Sequence, residues 1–404
     1  MPQLVFWPNL GLFLGVFLGL FPRLFPRLFM GLFAGVFLCG CASTQVTDVQ
    51  PGYRTQSKDL DEAGLWFAMD RAEKTIAAAP ERITDIALQN YLDALSCKLA
   101  ADLCSDIRIY LIRQPYLNAF MAPNGMMVIF TGTLARAENE AQLAFVMAHE
   151  IGHYRGRHSL ENWRHLKNVS NLMTGIGAVT AGTGVGVVAA LGAYANLASF
   201  SRDQEREADA LGFQALQTAK LNLAAPGDLW SAAYEEEKVN PKGLLSGVFA
   251  SHPATPERRD RLKKLAQSHA SVGAGDAGAE RFRALISGYR GAWLGDELAR
   301  RNYAQSEVML ARLALIPWDL GTVKNFQGEL YRKRAQPGDL ARAASAYQAA
   351  LREPSVSPST FRDLGTTLVR LGNRTAALDA FREYLKRAPD ANDAAMIRSY
   401  LDGN

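Results

Sequence analysis

The pattern of apolar and polar positions predicts a chain with more helices than strands. Apolar residues recur at helical spacing over residues 65–79 and 83–99, as on the buried face of an amphipathic helix. Short apolar runs at 107–112 and 126–130 have the length and composition of strands. A third helical pattern, residues 141–148, follows the second strand. This order indicates a mainly α domain with a small β-sheet.

Beyond residue 280 the pattern is helical throughout and typical of tetratricopeptide repeats. Residues at the offsets of one 34-residue repeat are Leu364, Gly365, Leu368, Gly372, Ala377, Phe381 and Pro389. A preceding repeat, lengthened at its turn, is indicated by Gly328, Tyr331, Ala343 and Tyr347. Residues 281–320 are a candidate for a further, degenerate repeat. Such repeats stack into a concave surface that binds peptides or partner proteins; the alternative is a purely structural cap.

The most distinctive motif is H-E-x-x-H, formed by His149-Glu150-Ile151-Gly152-His153. On a helix, histidines four residues apart project from one face, so both imidazoles can reach one Zn²⁺. Glu150 is placed beside them to take a proton from a water on the metal. The motif therefore predicts a metallopeptidase with Glu150 as catalytic base. Two surface histidines on a helix would give the same five letters.

A zinc hydrolase needs a third protein ligand. His158 is a poor candidate, because on a continuing helix it would lie about 180° around from His149; we interpret it as a structural or supporting residue. A second helix is predicted over residues 201–212, where Glu205 and Asp209 share a face. Glu205 is the candidate ligand, and Asp209 would accept the free N–H of a ligand histidine. A charged helix face held by Arg–Glu pairs is the alternative.

Together these pieces resemble the HtpX/BepA family of gluzincin zinc metallo-endopeptidases, relatives of the CAAX-prenyl proteases. The matching segments are 118–125, 128–134, 149–153 with its trailing His158, and Ser201-Arg202 with Glu205, Ala208 and Asp209. The resemblance implies that His149, His153 and Glu205 bind one zinc ion per chain and that Glu150 is the general base. The choice of Glu205 over Glu207 rests largely on this resemblance.

The resemblance also implies where substrates bind. In gluzincins an edge strand beside the active-site helix pairs with extended substrate backbone. We assign this role to Met126, Met127, Val128, Ile129 and Phe130. Unfolded or loop segments of proteins are then the expected substrates. Residues 175–200 are uncharged and long enough to span a bilayer; we expect a buried or membrane-facing helical hairpin, with the membrane helices of integral-membrane relatives as the alternative.

The stretch from Ser251 to Arg259 opens a basic helix and resembles the S-H-P-x-x-x-x-R stretch of the family. His252 is predicted to visit the open zinc position, to cap the site as a latch, or to polarise the peptide carbonyl. Arg202 is another candidate donor to the oxyanion. A latched His252 defines the competing hypothesis, a lipoprotein scaffold or chaperone that binds clients through its repeats and rarely cuts them.

The N-terminal residues predict export and a lipid anchor. Residues 38–41 read Leu-Cys-Gly-Cys and resemble a bacterial lipobox with Cys41 as the lipidated residue, preceded by two arginines and an apolar segment. A transmembrane anchor over residues 4–21 is the alternative. Because no Asp follows Cys41, we expect the outer membrane, and therefore a periplasmic, lipid-anchored protein.

Two cysteines remain after such processing, Cys97 and Cys104. An oxidising periplasm would permit a disulfide between them. Seven residues apart on one helix, their Cα atoms would be about 10 Å apart, which is too far for a bond. A disulfide therefore requires the helix to end near Ala101.

The expected domain organisation is a lipoprotein signal peptide (1–40), a polar tether (41–60), a zinc metallopeptidase domain (61–268), a small-residue linker (269–280) and helical repeats (281–404). The 404 residues carry a formal charge of +4, and no cluster of basic residues with interleaved aromatics indicates nucleic acid. The predicted function is cleavage of unfolded or misassembled envelope proteins. The repeats would select clients or dock an envelope assembly complex.

Overall fold

The structure, a computed structural model, describes residues 48–55, 60–167, 200–239, 252, 255–269, 275–354 and 356–402. The predicted signal peptide, the lipidation site Cys41 and all of the predicted hairpin except Phe200 lie outside these residues. Among the described helices, none combines the length and the apolar character needed to cross a membrane. Residues 46–404 form one compact unit.

A four-stranded mixed sheet has the order β1-β2-β4-β3. Strands β2 and β4 are parallel, with Tyr110 beside Val128, whereas β1 and β3 run antiparallel to their neighbours. The strands are β1 (Arg82–Ile83), β2 (Arg108–Ile112), β3 (Ala119–Met121) and β4 (Met126–Phe130). The two strands that the sequence predicts are thus present, and they lie side by side.

Strand β4 is not an edge strand, so the prediction that Met126, Met127, Val128, Ile129 and Phe130 pair with substrate is wrong. Its backbone is hydrogen-bonded to β2 on one side and to β3 on the other. All five side chains are buried, as expected for an uninterrupted apolar run in an interior strand. Within the described sheet, the outer strand on this side is β3, which Gly125, with φ of +90°, connects to β4 through a tight turn.

Eight described helices surround this sheet. They are α1 (Leu60–Ala77), α2 (Ile86–Leu99), α3 (Thr131–Arg136), α4 (Glu140–Arg155), α5 (His158–Lys167), α6 (Arg202–Thr218), α7 (Ala225–Lys238) and α8 (Pro256–Ser268). Helix α4 carries the H-E-x-x-H motif and is buried from Glu140 to Tyr154. Asn139 caps its N-terminus by accepting a hydrogen bond from the Gln142 amide.

Two glycines bring α4 and α6 close together. A Cβ at Gly152 would lie 3.0 Å from the Ala208 Cα, and one at Gly212 would lie 3.2 Å from the His149 amide nitrogen. Larger residues at these positions would hold the helices apart. Because the backbones approach this closely, the buried face of α6 that carries Glu205 and Asp209 meets the histidine face of α4.

Cys97 and Cys104 form a disulfide, with their Cα atoms 4.6 Å apart. The predicted condition is met, because α2 ends at Leu99 and a short 3₁₀ helix follows over Ala101–Leu103. The bond pins the end of α2 to the segment that leads into β2.

The C-terminal part is all helical, as predicted. Its helices are α9 (Ala279–Ala299), α10 (Tyr303–Leu313), α11 (Leu320–Arg334), α12 (Asp339–Ala350), α13 (Ser359–Arg370), α14 (Arg374–Arg387) and α15 (Ala394–Leu401). The repeat glycines receive aromatic rings from the next helix. A Cβ at Gly328 would lie 2.6 Å from the Tyr347 ring, and one at Gly365 would lie 2.4 Å from the Phe381 ring.

Helices α9 and α10 share a core with the sheet and α4. Phe282, Trp293 and Leu310 belong to the same buried apolar cluster as Leu143 and Phe145. A buried ion-pair network adds to this contact, because Arg136 of α3 binds Glu236 of α7 at 2.7 Å and Glu297 of α9 at 2.8 Å. Residues 281–320 therefore pack as an integral layer against the sheet-containing part of the chain.

Candidate metal centre

Four buried side chains converge between α4, α6 and the segment before α8: His149, His153, Glu205 and His252. The Nε2 atoms of His149 and His153 are 3.1 Å apart. Glu205 Oε1 lies 3.4 Å from His153 Nε2, and Glu205 Oε2 lies 3.6 Å from His149 Nε2. Nδ1 of His252 is 3.2 Å from His149 Nε2 and 2.6 Å from Glu205 Oε1.

These spacings fit a zinc ion. Donors at the corners of a tetrahedron, each about 2.0–2.1 Å from Zn²⁺, lie about 3.3 Å from one another. The distances of 3.1, 3.4 and 3.6 Å among His149, His153 and Glu205 cluster around that value. Two imidazoles and one carboxylate are also the donors that a zinc hydrolase uses. The site can therefore hold one Zn²⁺, the cofactor that the sequence predicts.

Asp209 lies where a supporting residue for His149 is expected. Its Oδ1 is 3.1 Å from His149 Nδ1, the ring nitrogen that faces away from the convergence point. Burial raises the pKa of Asp209, but the charge of Arg258 and the contact with His149 outweigh burial and lower it to about 2. Asp209 is therefore an anion that accepts a proton from His149 Nδ1 and keeps Nε2 free as a donor to metal.

Arg258 is a supporting residue that the sequence-based site prediction omitted. Its Nη2 and Nε bind Asp209 at 2.7 and 3.1 Å, and its Nη1 lies 2.5 Å from Glu205 Oε2. Its guanidinium carbon also lies 4.6 Å from the centre of the Trp230 ring. The arginine that ends the S-H-P-x-x-x-x-R stretch was the available signal. One guanidinium thus fixes the orientation of both carboxylates.

Glu150 is buried beside the convergence point, with its Oε1 3.5 Å from His252 Nε2. Burial raises the pKa of Glu150, and the charges of His252 and His149 offset part of that effect. A raised pKa brings a carboxyl group closer to the range in which it can both take and return a proton near neutral pH. This is the property that a general base at this position needs.

His158 does not join the four converging side chains but contacts one of them from behind. Its Nδ1 lies 2.8 Å from His153 Nδ1, and its Nε2 lies 3.5 Å from Glu207 Oε2. Burial lowers the pKa of His158 to about 4, so the ring is neutral at pH 7. Phe200 stacks on the other face of His153, with 3.9 Å between ring centres.

Two carboxylate and arginine predictions differ in outcome. Glu207 is mostly exposed, as the sequence indicates, although it lies near His158. Arg202 is exposed in the first turn of α6, where its charge lowers the pKa of Glu257. Among the contacts of the described residues, none joins Arg202 to the converging side chains, so the structure gives no support for Arg202 as an oxyanion donor.

Comparison with known proteins agrees with this geometry. Residues 84–266 match the model of peptidase family M48, and residues 332–402 match a tetratricopeptide repeat model. The mitochondrial metalloendopeptidase OMA1 of Schizosaccharomyces pombe is 31% identical over 163 residues, which are 40% of this chain and 47% of that protein. The beta-barrel assembly-enhancing protease of Escherichia coli K12 is 32% identical over 190 residues, 44% of this chain and 38% of that protein.

The beta-barrel assembly-enhancing protease of Yersinia pestis is 30% identical over 198 residues, 45% of this chain and 39% of that protein. The matched region thus spans less than half the length of each of these three relatives. The family match includes α4, α6 and α8, and so all four converging side chains. The chain belongs to the M48 metallopeptidases and carries tetratricopeptide repeats after its peptidase domain.

Proposed function

We propose that this protein is a zinc-dependent endopeptidase that cleaves unfolded or misassembled proteins of the bacterial cell envelope. The observation that carries the proposal is the buried convergence of His149, His153 and Glu205 beside Glu150. The family match and the metalloendopeptidases among the relatives support the same reaction.

The roles of the side chains follow from their positions. Zn²⁺ held by His149, His153 and Glu205 would supply a Lewis acid that polarises a peptide carbonyl and lowers the pKa of water. Glu150 accepts the proton of the attacking water and returns it to the leaving amine. Asp209 holds the His149 ring, and Arg258 holds Asp209 and Glu205 in one arrangement.

We assign the substrate-binding edge to β3 in place of β4. Ala119, Phe120 and Met121 form the outer strand of the described sheet. Met121 also lines a small cavity together with His153, so this strand ends beside the metal-binding side chains. An extended substrate segment that added to this edge would place its backbone next to Glu150. Unfolded proteins supply such segments.

His252 favours a second candidate function. Its Nδ1 stands at ligand distance from His149 Nε2 and Glu205 Oε1, the place where the fourth donor of a tetrahedral site belongs. A water or a peptide carbonyl needs that same place. His252 must therefore move before cleavage, and a protein that kept it in place would act mainly as a scaffold or chaperone that holds clients on its repeats.

The cellular role rests on weaker support. Two of the relatives are named for beta-barrel assembly, which suggests an envelope setting. The disulfide between Cys97 and Cys104 suits an oxidising compartment such as the periplasm. We infer a lipid anchor at Cys41, quality control of outer-membrane proteins as the task, and repeats that dock clients or an assembly complex.

The proposal is tested by measuring zinc and proteolysis together on the purified full-length chain. We expect about one zinc per chain, cleavage of unfolded casein, and no cleavage by Glu150→Gln with its zinc retained. Glu207→Gln, a change of the same kind at an exposed site, serves as the control and should cleave normally. Full zinc without cleavage by any variant would favour the scaffold, and absence of zinc would overturn the site.

A further inference from the structure

His153 depends on a different partner from His149. His149 has the Asp209 carboxylate at its Nδ1, whereas His153 has only the imidazole of His158, with 2.8 Å between the two Nδ1 atoms. If Nε2 of His153 binds metal, its proton resides on Nδ1 and is donated outward. Nδ1 of His158 must then accept that proton, and the proton of His158 lies on Nε2, the atom that faces Glu207.

A turn between α4 and α5 delivers His158 to this place. Helix α4 ends at Arg155, and Arg157 adopts a left-handed conformation with φ of +53° before α5 begins at His158. A continuing helix would carry His158 to the opposite side of α4. The left-handed residue reverses the chain, so that the His158 ring returns beneath His153.

Gly156 is required by the His158 ring rather than by its own backbone. Its φ of −73° is open to any residue. A Cβ at this position, however, would lie 2.6 Å from His158 Nε2 and 3.1 Å from two of its ring carbons. The glycine therefore leaves the space into which the imidazole fits.

Arg157 is held by the N-terminal segment, residues 48–55, and by helix α1. Its Nη2 donates to the Tyr53 hydroxyl at 3.1 Å and to the Glu62 carboxylate, and its guanidinium carbon lies 4.7 Å from the Tyr53 ring centre. Tyr53 in turn donates to Glu62 Oε1 at 2.9 Å. The Val49 amide binds the carbonyl of Arg155 at 2.9 Å. The segment that the sequence presents as a tether thus clasps the end of the active-site helix.

We propose that His158 is a positioning residue for His153, and that residues 48–55 maintain it through Arg157. The inference rests on the proposed function, in which His153 is a zinc ligand. Removing the acceptor would leave His153 free to rotate or to change its tautomer, and zinc affinity would fall. Residues far from the zinc in sequence, Tyr53 and Glu62, would therefore tune the metal site.

The test compares two replacements of His158 by zinc affinity, measured on the full chain by competition with a chelator. Asn places its Oδ1 where Nδ1 of His158 stands and can accept from His153, whereas Phe fills the volume of the ring without an acceptor. We expect His158→Phe to weaken zinc binding about 10- to 100-fold and His158→Asn to remain within about threefold of wild type.

Equal affinity of wild type and His158→Phe would overturn the proposal, as would equal losses in both variants. Gly156→Ala, which displaces only the ring, should weaken zinc binding like His158→Phe. Arg157→Gly favours the same left-handed turn but removes the clasp; unchanged affinity in this variant would remove residues 48–55 from the inference. Thermal unfolding of the zinc-free variants shows that each has folded. A wild type that bound zinc but cleaved nothing would contradict the proposed function and leave this comparison intact.

Discussion

The guanidinium of Arg258 grips the carboxylate of Asp209 with two hydrogen bonds, from Nη2 at 2.7 Å and from Nε at 3.1 Å. Both groups are buried. A third nitrogen of the same guanidinium remains for Glu205. A planar fork of fixed geometry can serve both carboxylates at once, and a lysine ammonium cannot.

We therefore predict that Arg258→Lys weakens zinc binding about 10- to 100-fold even though the positive charge is kept. The measurement is chelator competition, with proteolysis of casein followed in parallel. Arg259→Lys is the matched control, because Arg259 pairs with Asp260 at the surface and should be neutral. Normal zinc affinity in Arg258→Lys would show that charge alone suffices at this position.

Replacement of His252 separates a latch from a catalytic donor. In His252→Ala, three protein ligands remain for zinc, so we expect metal content to be unchanged. Because the fourth donor position would then be open, we expect cleavage of unfolded casein to be faster than in wild type. The measurement is kcat/KM at matched zinc content. Loss of cleavage with zinc retained would instead make His252 a donor to the transition state.

The Glu73 carboxylate predicts a pH-dependent contribution to stability. Burial raises its pKa, but hydrogen bonds from Arg108 at 2.6 and 2.7 Å, from Tyr110 at 2.9 Å and from Asn124 at 2.8 Å lower it below its ordinary value. A carboxyl group with a lowered folded-state pKa stabilises the fold above its unfolded-state pKa. That contribution is lost as the pH falls through the folded-state pKa.

We expect Glu73→Gln to lower the free energy of unfolding at pH 7 by about 1–3 kcal/mol. The difference from wild type should shrink as the pH falls below about 4. Urea unfolding between pH 3 and pH 7 measures it. Asp379→Asn, which breaks an exposed pair with Arg382, should change stability by less than about 1 kcal/mol. A difference that stayed constant across this pH range would contradict the electrostatic origin.

Two glycine-to-alanine substitutions in the helical region should have opposite effects. Gly365→Ala places a Cβ 2.4 Å from the Phe381 ring and should destabilise the repeats by about 1–3 kcal/mol. Gly288→Ala in α9 meets no atom within 4 Å and should stabilise by about 0.5–1 kcal/mol, because alanine restricts the unfolded chain. Denaturant titrations of both variants measure the two signs, and equal effects would argue against close glycine–aromatic packing in the repeat.

The sequence predicts those parts of the site that short spacing determines. His149, Glu150 and His153 follow from helical periodicity, and Asp209 follows from its place one turn after Glu205. The strand assignment of 126–130 is correct, but its position in the sheet is wrong, because an apolar run does not reveal which neighbours it has. The Arg157–Tyr53 contact joins residues 104 positions apart. No local pattern announces a contact of that kind, and it depends on how the whole chain folds back.

The core that α9 and α10 share with the sheet has a consequence for how the protein ages and breaks. A protease nick after residue 280 would not release an autonomous peptidase from its repeats. It would uncover the apolar surface that Phe282, Trp293 and Leu310 now close, together with the buried charges of Arg136 and Glu236. Such a fragment would be prone to unfold and aggregate. Damage anywhere along α9 should therefore silence the peptidase, which limits the chance that a stray, unguided protease survives in the compartment where it works.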